Sequence, residues 1–253
     1  MVKGLELFRS RFADYADSYV LIGGAACDIL LERAALPFRI TRDLDIVLCI
    51  EALTPEFGRA FWGFIRDGAY EIQEKSSSDR KLYRFRKPAT PNFPEMIELF
   101  SRRPDAFELN AESALTPIPM DDEISSLSAI LLDDDYYGFI QSRKRRVEGI
   151  SLLPAEALVV LKAKAWLDLS KRKANGETVD SKNIRKHKND VCRLFATLTP
   201  QIRVELPPGI QAEVSEFIDQ LANEPVDFRV LGLPLVMPDV IMGLRQIFVD
   251  NEM

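Results

Sequence analysis

Apolar side chains at Leu5, Phe8, Phe12 and Tyr15 recur at helical spacing, so residues 4–16 read as an opening amphipathic helix. The period then changes. Tyr19-Val20-Leu21-Ile22 is a short continuous apolar run that stops at Gly23-Gly24, as a buried strand over 18–23 would. Ala25-Ala26-Cys27-Asp28-Ile29-Leu30-Leu31-Glu32 continues as a helix over 24–34, and a strand follows over 43–50. The first unit therefore reads α-β-α-β. Residues 55–65 are a helix whose Phe57, Phe61, Trp62, Phe64 and Ile65 mostly face a core. Strands are expected over 70–73 and 81–86, with a polar loop over 75–79 between them. Met96-Ile97-Glu98-Leu99-Phe100 is a further apolar strand with an acid at its centre, and short strands continue over 115–119 and 127–132.

The character of the chain shifts at Pro154. From Ala155 onward the pattern is helical, over 155–171, 182–198, 209–223 and 237–249. We expect a boundary near residue 150, with a mixed α/β part over 1–150 and a helical part over 151–253. The fold class is α/β (α+β): a mixed sheet flanked by helices, followed by a helical C-terminal part. Asp133-Asp134-Asp135 would alternate faces on a strand, so the run reads as a loop or a helix N-cap. Arg143-Lys144-Arg145-Arg146 reads as a polar hairpin turn in preference to an RNA contact.

Composition narrows the classes. The 253 residues are 47% hydrophobic and 28% charged, ordinary for a soluble globular protein. The net charge of −6 argues against a generally basic nucleic-acid binder and leaves only local patches. No stretch approaches ~20 apolar residues, so no membrane span is expected, and the absence of an apolar N-terminal signal points to the cytoplasm. Cys27, Cys49 and Cys192 are odd in number and widely spaced, hence reduced, buried thiols without zinc or redox spacing. His187 is the single histidine, which excludes His-rich metal sites. Neither GxxxxGK[ST] nor GxGxxG is present.

The chemistry concentrates in Arg39-Ile40-Thr41-Arg42-Asp43-Leu44-Asp45. Two acids two residues apart on a strand share one face, where their repulsion is costly unless a cation sits between them. Mg²⁺ is held by one or two carboxylates together with substrate phosphates. Just upstream, a strand that breaks at Gly23-Gly24 and opens a helix offers backbone N–H groups to an anion.

Gly-Gly, a helix, then Arg-x-Thr-x-Asp-x-Asp resembles the nucleotidyltransferase superfamily built on the DNA polymerase β-like core, and within it the AbiEii-like branch of toxin–antitoxin systems. The resemblance is close over residues 18–50 and loose over 150–195, and the connection from Gly24 to Asp43 is longer than is usual there. It implies Mg²⁺-dependent transfer of a nucleoside monophosphate from an NTP, with two ions held by Asp43, Asp45 and a third carboxylate from a neighbouring strand. Glu98 is the candidate and Glu95 its competitor; strand parity puts them on opposite sides, so only one can join the pair. Gly23 and Gly24 would hold the triphosphate and Thr41 would support that turn. A helical lysine, Lys164 or Lys162, would neutralise phosphate, with Asp168 on the face of Lys164. The late basic motif of the resembled family would fall on Lys186 or Lys188 and on Asp190, within a run whose default reading is a solvated charged face. The acceptor implied is a tRNA or other RNA end, a protein side chain or a small molecule, and a toxin would have a cognate antitoxin as partner. The rivals are transfer of the γ-phosphate on the same fold and a non-catalytic nucleotide- or partner-binding protein.

Overall fold

The computed structural model describes residues 2–72, 84–102, 115–118 and 127–250. The loop expected over 75–79, the start of the strand over 81–86, Gln73 and Pro119 lie outside these. The chain divides into two compact units, Met1–Asp28 with Ile40–Leu153 and Ile29–Arg39 with Pro154–Met253. The division after Leu153 lies beside Pro154, where the pattern changes. Residues 29–39 join the helical unit as well, so the first unit is discontinuous where one cut near 150 was expected. The side chains of Phe38 and Arg39 supply a reason: they meet Asp190 and Arg193, contacts no local pattern displays.

In the first unit α1 (Leu5–Phe12) ends in a short 3₁₀ turn at Ala13–Tyr15, which splits the helix expected over 4–16. Then come β1 (Tyr19–Ile22), α2 (Gly23–Arg33), β2 (Asp43–Leu48) and α3 (Pro55–Asp67). Thr54 caps α3, its Oγ1 accepting from the Phe57 N–H at 3.2 Å, with Pro55 at the first turn where a missing N–H costs nothing. The remaining elements are β3 (Glu71–Ile72), β4 (Arg84–Arg86), β5 (Met96–Ser101), β6 (Leu115–Ile118), β7 (Leu127–Leu131), α4 (Asp134–Arg143), β8 (Arg145–Val147) and β9 (Ile150–Leu152). Asp133 caps α4 by accepting from Asp135 N–H. The basic run at 143–146 closes α4 and opens the β8–β9 hairpin, whose turn is Glu148-Gly149 instead. The cluster thus lies before the turn, whose two residues both take positive φ, Glu148 at +49° and Gly149 at +83°.

Among the described residues the strands form one mixed sheet in the order β3-β4-β5-β2-β1-β9-β8, with β7 beside the C-terminal end of β5 and β6 beside β7. β1 and β2 are antiparallel; β2 and β5 are parallel. The alternation along these strands gives the sheet two unlike faces. Tyr19, Leu44, Ile46, Phe85, Ile97 and Leu99 are almost wholly buried on one of them. There α1 and α3 cover the sheet with an aromatic cluster: Phe8 meets Tyr19 edge-on at 5.2 Å, and Phe61 meets Phe85 at 5.6 Å. The opposite face carries the acids.

The second unit is built from α5 (Ala155–Ala174), α6 (Ser181–Phe195), α7 (Pro208–Leu221), α8 (Phe228–Leu231) and α9 (Met237–Phe248), together with the end of α2. Trp166 on α5 packs edge-on against Phe217 on α7 at 5.4 Å. Gly243 lets α9 approach the Phe195 ring, since a Cβ there would lie 2.5 Å from its Cζ. Cys27, Cys49 and Cys192 are buried thiols outside any disulfide. No helix among the described residues is long and apolar enough to cross a membrane.

Candidate functional site

One row of residues crosses four neighbouring strands of the first unit. Ile22 on β1 is the register partner of Asp45 on β2, Asp45 of Glu98 on β5, and Glu98 of Arg84 on β4. One step along, Asp43, Met96 and Arg86 form a second row. Register partners point to the same side of a sheet, as do residues two apart on one strand. Asp43, Asp45, Glu98, Arg84 and Arg86 therefore share the face away from the aromatic core. Asp43, Asp45 and Glu98 are all half-buried.

Gly23 closes the row at the end of β1. Its φ of +66° turns the chain from the strand into α2, and a Cβ at this position would lie 1.7 Å from Asp45 Oδ2. The carboxylate of Asp45 thus rests against the glycine in the volume a side chain would fill. A negative charge is favourable there, beside the first N–H groups of a helix, which lack intrahelical partners. Gly24 is the buried second residue of α2, and Thr41 is half-buried two residues before Asp43.

Glu98 is engaged. Arg84 Nε and Nη2 both donate to its Oε1, a pairing across adjacent strands. Glu95 lies just before β5 and pairs instead with Arg42 at 3.2 Å in an exposed contact. Parity thus separates the two glutamates and puts Glu98 on the side of the aspartates. Among the described residues no group of three or more His, Cys, Asp or Glu side chains stands in an arrangement able to hold a metal ion. The backbone aligns three acids, but the Glu98 carboxylate is held by Arg84 and is not gathered with the aspartates. Asp43 and Asp45 on one strand face suit a hard ion that takes one or two carboxylates and completes its shell from water and phosphate.

The second unit holds the remaining expected residues. Asp190 on α6 has no exposure at all. Arg39 donates to both its oxygens, Nε to Oδ1 at 3.2 Å and Nη2 to Oδ2 at 2.9 Å. Lys162 Nζ lies 3.2 Å from Oδ2, and Arg193 lies 3.5 Å from Oδ1. Both Arg39 and Arg193 also stand over the Phe38 ring. Burial pushes the Asp190 carboxyl up, but Lys162 and Arg39 outweigh it and hold the group below the usual aspartate value. Beside this node, burial and then Lys162 and Lys186 push His187 down to about 3. The imidazole is therefore neutral at physiological pH, and its buried Nδ1 has no hydrogen-bond partner among the described residues.

Lys162 and Lys164 point to different surroundings, as a two-residue step of about 200° on a helix requires. Lys162 is buried against Asp190, whereas the Lys164 side chain is one-third exposed and its ammonium bridges Glu213 and Asp168. Lys188 is buried too, donating to Glu224 and the Pro225 carbonyl. The run at 182–190 is thus the solvated face of its default reading only in part: Lys182, Asn183 and Arg185 are exposed, whereas Lys188 and Asp190 turn inward with Val191 and Cys192. Arg84, Glu213 and Glu224 were not singled out from the sequence. Only Arg84 has a local signal, since Arg84-Phe85-Arg86 alternates two arginines about a core phenylalanine.

No family model matches the chain, and no curated protein matches it. Solved structures similar in overall course include the following two. JHP933 from Helicobacter pylori is 17% identical over 94% of this chain and 86% of its own, with a TM-score of 0.40. An antigenic nucleotidyltransferase-like protein from Paracoccidioides brasiliensis is 17% identical over 96% of this chain and 93% of its own, with a TM-score of 0.44. At such values, the functional reading rests on this chain's own residues.

Proposed function

We propose that this protein transfers a nucleoside monophosphate from an NTP to an acceptor hydroxyl, releasing pyrophosphate, with Asp43 and Asp45 as the ligands of Mg²⁺. The observation that carries this reading is the contact of Asp45 with Gly23, which sets a carboxylate pair beside the opening of a helix. Mg²⁺ held there would supply charge neutralisation at the phosphoryl group and lower the pKa of the attacking oxygen. The opening turn of α2, with Gly23 and Gly24, would receive the triphosphate on N–H groups that have no partner within the helix. Thr41 supports the approach to Asp43. Glu98 is the third carboxylate; it would join the aspartates in holding a second, catalytic Mg²⁺ and would help take the proton of the acceptor hydroxyl. Lys164, paired with Asp168 and Glu213 on a side chain one-third exposed, carries the ammonium suited to phosphate. Lys188 and Asp190 act by holding the helical unit together, since both are buried on partners of their own. Catalysis of this kind rests on positioning and charge, with no covalent enzyme intermediate.

The acceptor is an RNA end, a protein or a small molecule, and the proposal extends to a role as the toxin of a toxin–antitoxin pair. Incubating the full chain with Mg²⁺, cellular RNA and each NTP labelled at the α- or γ-phosphate tests the reaction. Label transferred from the α-position with release of pyrophosphate is expected. Transfer of γ-label with release of nucleoside diphosphate would replace this reading with a phosphotransferase. Nucleotide binding without turnover of either label against RNA, protein and small-molecule acceptors would leave a sensor. Growth arrest on expression, abolished by Asp43→Asn, is the expected result for the toxin role; undiminished arrest by the variant would remove it.

A further inference from the structure

Arg84 lies outside the acid set, on β4, yet it is the side chain that the register delivers to Glu98. Its Nε and Nη2 converge on a single oxygen, Oε1, which they take up as a cation would. The Glu98 side chain is 15% exposed and that of Arg84 is 32% exposed. A carboxylate that far from water needs a counter-charge, and here one guanidinium supplies it. The more exposed partner is the arginine, so it is the member of the pair that can move into solvent. Arg86 lies two residues on, on the same face and level with Asp43, so a second guanidinium faces the row of acids.

Building on the proposed Mg²⁺ site, we infer that Arg84 is a charge-exchange residue: it neutralises Glu98 until a divalent cation arrives, then yields the carboxylate and turns its guanidinium to the substrate's phosphate. The exchange conserves the charge on Glu98 throughout. It also explains why three acids aligned by the backbone are not gathered as a ready-made metal cluster. The third ligand is released only when a cation replaces the arginine. The guanidinium set free is a planar, two-pronged donor suited to phosphate oxygens. Arg84 is thus a positioning residue toward the metal and a binding residue toward the nucleotide.

The test measures Mn²⁺ affinity of the full chain by electron paramagnetic resonance, without nucleotide, for the wild type, Arg84→Gln, Glu98→Gln and the double variant. Arg84→Gln should bind Mn²⁺ more tightly, on the order of tenfold, as expected for removing a like charge beside a ligand. Its NTP affinity should fall. The gain in Mn²⁺ affinity should vanish in the Glu98→Gln background, and Arg84→Lys, which keeps the charge, should bind Mn²⁺ as the wild type does. Should Arg84→Gln not fold, Arg84→Met serves in the same cycle. Unchanged or weakened Mn²⁺ binding in the charge-removing variant overturns the exchange, as does a gain that persists without Glu98. Failure of the wild type to bind Mn²⁺ overturns the metal site itself and the exchange with it; binding without the coupling overturns the exchange alone.

Discussion

The two units use carboxylates in opposite ways. In the first, Asp43, Asp45 and Glu98 share one face of the sheet and none is fully buried. In the second, Asp190 is wholly buried, and three basic side chains converge on it from Phe38's neighbour Arg39, from α5 and from α6. Like charges aligned on one half-buried sheet face repel unless cations stand among them, as Arg84 does at Glu98. Unlike charges gathered in the interior hold elements together, and breaking one strands the others. The first arrangement is what a ligand site needs; the second is what a joint needs. Acidity alone therefore does not separate the two arrangements, whereas burial does: Asp190 has no exposure, and the acids of the sheet keep some.

The comparison breaks most visibly at Asp190. Asp190→Ala should cost about 3–5 kcal/mol in urea unfolding, the scale for removing one partner of a buried ion pair. The double variant Asp43→Asn with Asp45→Asn should leave the melting temperature unchanged or raised while abolishing Mg²⁺-dependent NTP binding. If the two variants showed the reverse pattern, the assignment of site and joint would exchange places.

Gly23→Ala comes next. The left-handed backbone alone should cost about 1–2 kcal/mol, and the added Cβ must displace the Asp45 carboxylate. Both stability and NTP binding should fall. A variant that lost neither would show that the carboxylate does not depend on the glycine, which removes the observation on which the function rests.

His187 sharpens the picture of the joint through pH. The unfolded chain takes up a proton near the ordinary value of 6.5, but the folded chain resists until about 3. Between those values the unfolded state binds more protons, so stability is lost as pH falls from about 6.5 toward 3. The slope from this group approaches about 1.4 kcal/mol per pH unit. Asp190 adds to the loss only at lower pH, once pH falls through the usual aspartate value toward its depressed one. Urea unfolding of His187→Gln between pH 4.5 and 7 should show a flatter dependence than the wild type; equal slopes would mean that His187 is not the group responsible.

Lys164→Ala should have the smallest effect on stability, about 0.2–1 kcal/mol, because its bridges to Glu213 and Asp168 are solvent-screened. Its effect on NTP affinity should exceed its effect on stability. Lys162→Ala should do the opposite, unfolding the joint around Asp190. A reversal would move the phosphate contact from one lysine to the other.

Much of the architecture is legible in the chain. The aromatic face of α3 carries a helical period, and the runs at Tyr19–Ile22 and after Asp43 read as strands from their shortness and their flanking residues. The acid pair is legible too, because two residues on one strand must share a face whatever surrounds them. Glu98 could be separated from Glu95 by parity, but its level with Asp45 depends on a parallel register that spans 53 residues of sequence. Local spacing carries no record of such a register.

What the sequence determined by itself is thus the main helices and strands, though not α4, β8, β9 or α8, together with the shared face of the paired acids, all consequences of short-range geometry. The tertiary structure alone decided that Gly23 makes room for a carboxylate, that Arg84 holds Glu98, and that Asp190 and Lys188 turn inward on Arg39, Lys162 and Glu224. These contacts join residues far apart in the chain. Their energy comes from burial and opposite charge, which act through space and leave no period in the sequence.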